Sequence, residues 1–237
     1  MTTPFTKAMA LIDAAHAQDP RRIPIPKSTP ALEAEPESKD TTTHADDKKE
    51  KGEEEEEEEI PYELHYAQKM THYLTLHTSG VASTPPPSEP LSLAIRAQHL
   101  RRWEIPRTTY PMTKVGYHSW RTALQRHQAS LAEQICLDAG YDTVSAARVA
   151  ALVRKEDLKK EDAETQVLED VACLVFLDDQ LVGFAGEKGK EYGEEKMLGI
   201  LRKTWAKMSE RGRELALKVE IGDQGVRELV GRAVAGN

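Results

Sequence analysis

The stretch TQVLEDVACLVFLDDQLVGF, residues 165–184, decides the fold of this chain. Its apolar residues are spread around almost the whole circumference of a helix, which indicates a helix buried between other helices. Glu169 and Asp170 interrupt this apolar run. A buried carboxylate is destabilising by several kcal/mol unless a cation, a metal ion or hydrogen-bond donors compensate it. We therefore expect the rest of the chain to supply partners for these two acids.

Charge composition separates a folded domain from one acidic segment. The 237 residues carry a net charge of −8, but residues 30–60 alone hold 14 acids, seven of them consecutive from Glu53 to Glu59, against four lysines. Because residues 21–59 show no periodic apolar face, we expect a disordered acidic insert at 21–60 that acts as a solvated spacer. We assign 1–20 to an N-terminal helix of the domain and 61–237 to the helical domain itself.

The cysteines and the apolar segments indicate the compartment. Cys136 and Cys173 both fall on helical patterns, so we interpret them as small buried hydrophobic residues and not as a disulfide or metal framework. No apolar run approaches the roughly 20 residues of a membrane span, and residues 1–10 lack the features of a signal peptide. We expect a soluble, cytoplasmic protein without a membrane partner.

Apolar periodicity predicts helices through most of the chain and no strand. One predicted helix, residues 91–106, ends at Pro106 because the residue before a proline is pushed out of helical geometry. Residues 117–139 form a longer predicted helix, which Gly140 ends. A glycine and lysine loop at 186–193 is predicted to lead into the next helix. The fold class is therefore all-α, a bundle of about six or seven main helices.

Basic residues gather in the middle of the chain. Seven arginines and lysines lie between Arg96 and His127 against a single acid, Glu104. Arginine forks match the oxygens of phosphate and carboxylate groups, so the cluster predicts an anion-binding wall. Alternatively, these cations neutralise the buried acids of the bundle. The anion-binding candidates are Arg101, Arg102, Arg107, Lys114, Arg121 and Arg154.

His99 lies inside this basic cluster and has two interpretations. A single histidine on an apolar helix is commonly a hydrogen-bonded core residue. However, Glu63, Glu169 and Asp170 are also polar residues on otherwise apolar helices. A histidine with two or three carboxylates forms a plausible site for a divalent transition metal such as Mn, Fe, Co or Zn.

Six motifs resemble a known family. They cover nearly the whole chain outside the insert and the proline-rich connector at 81–90. The domain-of-unknown-function family 4202, which is bacterial and fungal, is similar to this chain at PYELHYAQKM (61–70), RAQHLRRWEIPR (96–107), GYHSWRTALQRH (116–127), ALVRKEDLK (151–159), LEDVACLVFL (168–177) and ILRKTWAKMS (200–209).

The helix order of that family in turn resembles the HD-type metal-dependent phosphohydrolases, which implies an HD-like bundle. The resemblance places Glu63 near the first metal ligand and matches His99 and Asp170 to two others. The pattern departs at Leu100, which stands where the histidine–aspartate pair should have its aspartate, and Glu169 is the candidate to compensate.

Members of the family are sometimes labelled glutamyl-tRNA synthetase. Residues 207–209, KMS, are similar to part of the KMSKS loop of class I synthetases. This similarity does not support the label, because the sequence shows neither the nucleotide-binding α/β sheet nor the HIGH-like motif of those enzymes.

Three functions follow from these patterns. The first is metal-assisted hydrolysis of a phosphorylated small molecule or nucleotide, with His99 and Asp170 on the metal, Glu63 and Glu169 as catalytic carboxylates, and the arginines holding phosphate. The second is a non-enzymatic module that binds an anionic small molecule or RNA. The third is a scaffold in which all these charges are paired internally. The sequence does not determine the oligomeric state.

Overall fold

The computed structural model describes residues 2–25, 58–79, 86–156, 158 and 162–236, and it confirms the all-α fold class. Of the disordered insert predicted at 21–60, residues 26–57 lie outside the described residues. The helices are α1 (Pro4–His16), α2 (Tyr62–Thr78), α3 (Glu89–Arg96), α4 (Lys114–Ala139), α5 (Thr143–Arg154), α6 (Ala163–Val175), α7 (Leu181–Lys207), α8 (Glu210–Ala216) and α9 (Gln224–Ala235).

Side-chain caps explain where several helices begin. The Ser88 hydroxyl accepts the Leu91 N–H at the start of α3, and Thr113 accepts the Gly116 N–H at the start of α4. Such caps each satisfy one of the free N–H groups of a first helical turn. Gly116 is required there for a second reason: a Cβ at this position would lie 2.1 Å from the Pro111 carbonyl oxygen. The preceding loop is thereby packed tightly on α4.

Two apolar clusters hold the described helices together. The larger one is formed by α1 to α6 with contributions from α8, and α6 packs across α2 at its centre. The smaller one joins α7 to α9 through Leu181, Leu198, Leu201 and Val226. In the described part of the chain, no helix is both long enough and apolar enough to cross a membrane. The basic residues that follow α3 lie on the larger of these two clusters, because Leu100 is part of it.

Glu169 is paired with residues at the ends of two other helices, α5 and α7. Lys155, in left-handed geometry at the end of α5, donates to one carboxylate oxygen, and Lys207 Nζ lies 3.2 Å from the other. Burial alone would raise the pKa of Glu169, but the two lysines hold it below its ordinary value. Glu169 is therefore a paired carboxylate, as the expectation for residues 165–184 required.

Asp170 is fully buried and organises the start of α8. Its carboxylate accepts hydrogen bonds from His77 Nε2 at 2.9 Å, from Gln166 Nε2 at 2.9 Å, and from both the N–H (2.8 Å) and the hydroxyl of Ser209. A Cβ on Gly212 would lie 2.6 Å from the Asp170 carboxyl carbon. Burial would raise the pKa of Asp170, but these donors lower it below its ordinary value. This aspartate therefore joins α2, α6 and α8.

A small sheet closes the two ends of the predicted insert, which differs from the expectation of no strand. Strand β1 (Arg22–Pro24) pairs antiparallel with β2 (Glu59–Pro61). Sequence periodicity could not indicate strands of three residues, because alternation is not measurable over so short a run. The sheet places the end of α1 beside the first turn of α2.

Helix α3 is shorter than predicted. It ends at Arg96, ten residues before Pro106, because His99 and Arg101 adopt left-handed backbone geometry with φ of 64° and 50°. For non-glycine residues this region is higher in conformational free energy, and residues that adopt it cluster at functional sites. The prediction of His99 on a helix was therefore wrong, and the basic residues after it lie on a loop with 3-10 turns at Arg102–Glu104 and Arg107–Thr109.

The central stretch and the segment after it also differ from expectation. Helix α6 continues through a π-helical turn at Phe176–Gln180 directly into α7. The predicted loop at 186–193 is helical up to Gly193, whose φ of 72° and ψ of 164° break the helix. Glycine content indicated a break in this region, but only one glycine, Gly193, has a conformation that breaks the helix.

We expect Asp170→Ala to reduce the free energy of unfolding by about 3 to 5 kcal/mol, because it removes a fully buried carboxylate that accepts four hydrogen bonds. Asp178→Ala is the matched control. Asp178 forms an ion pair with Lys69 at 2.6 Å that is partly exposed, and such pairs contribute at most about 1 kcal/mol. Urea denaturation of both variants measures the difference. Equal and small losses at both positions would contradict the structural role of Asp170.

Candidate anion-binding site

A pocket of about 560 Å³ lies between the segment after α1, the first turn of α2 and the loop that follows α3. The sheet formed by β1 and β2 delivers Arg21 and Tyr62 to one wall, while the loop supplies the basic wall. The lining residues are Asp19, Pro20, Arg21, Tyr62, Glu63, His99, Arg102, Trp103, Ile105, Pro106, Arg107, Trp120 and Gln180. Two of the predicted arginines and two of the predicted polar residues thus converge on one cavity.

The loop is fixed in place at several points. Leu100 is fully buried in the core, and the backbone N–H of Arg102 donates to Glu63 Oε1 at 2.9 Å. Trp120 Nε1 donates to the Ile105 carbonyl at 2.9 Å. Arg107 donates to backbone carbonyls of the segment that precedes α4, at 2.9 Å for Tyr110 and 2.7 Å for Pro111. The basic wall is therefore a rigid surface that its own side chains brace.

Arg102 and Arg107 are stacked near the same indole ring. Their guanidinium carbons lie 5.1 Å and 5.9 Å from the centre of the Trp120 ring. No described carboxylate lies within ion-pair distance of either arginine or of Arg121. Burial lowers the pKa of Arg102, and the positive charge of Arg121 lowers it further. The site therefore holds positive charge that the described residues do not neutralise.

His99 is a neutral member of this cationic cluster. Its ring stacks on Tyr66 with centroids 4.1 Å apart, and its Nε2 lies 2.9 Å from Arg102 Nη1. Because a guanidinium only donates, Nε2 is the acceptor and the ring proton is on Nδ1. Burial, followed by the charges of Arg102 and Arg121, holds the pKa of His99 well below its ordinary value. The imidazole therefore orients Arg102 without adding charge.

Glu63 connects the loop to α1. Its second oxygen, Oε2, lies 3.5 Å from His16 Nδ1, and both side chains are buried. Its own backbone N–H donates to Asp19 Oδ2 at 2.9 Å, while the other oxygen of Asp19 accepts the Arg21 N–H. Burial raises the pKa of Glu63 above its ordinary value. Asp19 is thus a backbone anchor, whereas Glu63 reaches the loop that carries Arg102.

The residues expected to hold a transition metal do not fit one. In residues 2–25, 58–79, 86–156, 158 and 162–236, no three His, Cys, Asp or Glu side chains are close enough to hold a metal ion. The Nε2 lone pair of His99 accepts from Arg102, and the oxygens of Asp170 are occupied by His77, Gln166 and Ser209. Metal-assisted hydrolysis stays a prediction of the resemblance, and we derive no step through a metal.

The remaining candidates lie outside the pocket. Arg101 forms an ion pair with Glu104 at 2.5 Å. Arg154 does the same with Glu156 at 2.5 Å, and Lys114 is exposed on the first turn of α4. The alternative in which Arg101, Arg102 and Arg121 neutralise the buried acids names the wrong cations, because lysines pair with Glu169 and His77 with Asp170.

Several pocket residues were not among the sequence candidates. Nothing in the spacing of Trp103, Trp120 and Gln180 marks them as pocket residues. The same holds for His16, which does not line the pocket but contacts the pocket residue Glu63. Tyr62, the first residue of α2, was not a candidate either, yet its hydroxyl accepts a hydrogen bond from Gln180 Nε2 at 2.8 Å. The signal that was present is the RRWEIPR run, in which an aromatic residue separates two groups of arginines.

Comparison with known proteins supports the resemblance of the motifs. A family model described as Domain of unknown function (DUF4202) matches residues 34–230. This match covers most of the sequence, so the chain belongs to that family. No curated protein and no solved structure matches the chain. The HD-like relationship therefore stays a prediction, and the function has to be argued from the geometry of the pocket.

We expect His99 to remain neutral down to acidic pH. Its lowered pKa implies that protonation favours the unfolded chain, so this residue makes the fold less stable as pH falls below about 6.5, the ordinary histidine value. Proton NMR of the His99 imidazole should give a titration midpoint well below the ordinary histidine value of about 6.5. A His99 midpoint at or above 6.5 would contradict its placement among unpaired cations.

Proposed function

We propose that this protein binds a small phosphorylated molecule, with the phosphate held by Arg102 and Arg107 in the pocket beside Trp120. One observation carries the proposal: the positive charges of Arg102, Arg107 and Arg121 have no carboxylate partner in the described part of the chain. On α6 of the same bundle, the buried carboxylates Glu169 and Asp170 both have partners of opposite or donating character. The unpaired group is therefore suited to a ligand of opposite charge.

Electrostatics favours an anion at this position. The positive charge of Arg121 opposes that of Arg102, which is the second cause, after burial, of the lowered pKa of Arg102, and Arg107 lines the same pocket. An anion between them removes this repulsion, and charge-assisted hydrogen bonds from guanidinium groups are about twice as strong as neutral ones. A phosphate group offers enough acceptor oxygens for the free donors of both Arg102 and Arg107. Binding and the stability of the folded state are therefore coupled.

The shape of the site favours a small molecule over RNA. The pocket volume of about 560 Å³ falls within the range of small-molecule sites. The other candidate cations are turned away, since Arg101 and Arg154 pair with glutamates and do not extend the pocket into a continuous basic surface. RNA binding needs such a surface along several phosphates. We therefore place RNA second.

Backbone geometry supports the assignment. His99 and Arg101 flank the buried Leu100 and both have positive φ. This geometry turns the chain sharply enough for Arg102 to reach the Glu63 carboxylate and the Trp120 ring together. A helix continued to Pro106, as the sequence pattern alone predicts, would not present the same surface. The strained turn is thus the feature that builds the anion site.

We expect inorganic phosphate to raise the melting temperature of the parent protein and to do so far less for Arg102→Met. At phosphate concentrations about 100-fold above Kd, ligand binding adds about 2.7 kcal/mol, which corresponds to a rise of roughly 5 °C or more for a chain of this size. Differential scanning fluorimetry against chloride at equal ionic strength measures the shift.

Arg126→Met is the matched control, because Arg126 is an exposed arginine on α4 that does not line the pocket. It should respond to phosphate as the parent does. Tryptophan fluorescence is a second readout, since Trp103 and Trp120 line the pocket and Trp205 does not. If phosphate leaves the parent unchanged at all concentrations, or shifts Arg102→Met equally, the proposed function is wrong.

A further inference from the structure

His16 and Glu63 form a buried contact that requires a proton the two side chains must share. His16 is fully buried, and its Nε2 lies 2.9 Å from the Arg96 carbonyl oxygen. A carbonyl oxygen accepts only, so Nε2 carries a proton in every protonation state of this ring. In the neutral ring, Nδ1 is then a bare acceptor.

That bare nitrogen faces another acceptor. Nδ1 of His16 lies 3.5 Å from Oε2 of Glu63, and neither buried atom has any other hydrogen-bond partner. If Glu63 were ionised and His16 neutral, two lone pairs would face each other in a dry environment, which is strongly unfavourable. One proton between them removes the conflict. Either a carboxylic acid donates to Nδ1 or an imidazolium pairs with a carboxylate, and the couple is neutral in both cases.

The other end of the same carboxyl group holds the anion site. Glu63 Oε1 accepts the N–H of Arg102, the residue with the lowered pKa. The charged and titratable groups around the couple are Asp19, which follows α1, and His99 and Arg102 from the loop. Asp19 is committed to two backbone N–H groups, so it does not supply the missing proton.

We propose that His16 and Glu63 share one proton and act as positioning residues that hold Arg102 in place and keep the pocket free of an added negative charge. This inference rests on the proposed function, because it concerns the same arginine. Losing the shared proton leaves a carboxylate at the edge of the anion site. Anion affinity therefore depends on whether the couple is protonated.

The sign of the pH dependence follows from the charges. Below the pKa of the couple it is neutral, and Arg102 and Arg107 attract an anion without opposition from Glu63. As pH rises through that value, the couple acquires a charge of −1 close to the ligand. Repulsion between the Glu63 carboxylate and an anion held beside Arg102, at the edge of the protein interior, weakens binding by about tenfold. Anion binding thus becomes weaker at high pH.

The experiment uses sulfate, whose charge is constant between pH 5 and 9, and measures its Kd by tryptophan fluorescence of the full chain. For the parent, we expect Kd to rise about tenfold across this range. In Glu63→Gln, the amide oxygen accepts from Arg102 and the amide N–H donates to His16 Nδ1, which imitates the protonated couple. This variant should bind sulfate with a Kd that changes less than twofold over the same range.

The comparison between the two profiles isolates the couple, since the two proteins differ only at residue 63. Parallel profiles in the parent and Glu63→Gln would overturn the shared proton while leaving the anion site intact. Absence of saturable sulfate binding at every pH would overturn the proposed function as well. Glu63→Ala should weaken sulfate binding at least tenfold at all pH values. If that variant fails to fold, the Gln profile alone decides.

Discussion

The hydrogen bond from the Arg102 N–H to the Glu63 carboxylate is the constraint on which the site depends. It holds the loop after α3 against the first turn of α2, and it forms where His99 and Arg101 have left-handed backbone geometry. With the loop so held, Leu100 is buried and Arg102 packs against the Trp120 ring. The Glu63 carboxylate thus fixes the loop after α3 as one wall of the pocket.

The bundle treats its buried charges in two different ways. On α6, Glu169 and Asp170 are satisfied by lysines, a histidine and the start of α8, so they contribute to the architecture. In the pocket, positive charge accumulates without carboxylate partners among the described residues. A shortage of acidic residues does not explain why these arginines lack carboxylate partners. This contrast, more than any single contact, distinguishes the proposed binding site from the structural core.

Sequence reasoning predicted the helical class and the burial of Glu169 and Asp170 within residues 165–184. It also required partners for Glu169 and Asp170, although it named the wrong ones. Local periodicity could not show that His99 leaves the helix, because the loop is held by contacts with distant residues, such as the hydrogen bond from the Arg102 N–H to Glu63. His16 was missed for the same reason. Its role depends on the Arg96 carbonyl and on Glu63, which lie near it only in the folded chain.

The most direct measurement of the central claim is the position of a bound anion. Crystals of the full chain grown or soaked with selenate would locate the ion by its anomalous signal. The account predicts a peak within hydrogen-bond distance of the Arg102 guanidinium and beside Arg107, inside the pocket that Trp120 lines. A fully occupied peak at other arginines, with none near Arg102, would contradict the account. It would show that the cationic cluster does not collect the anion.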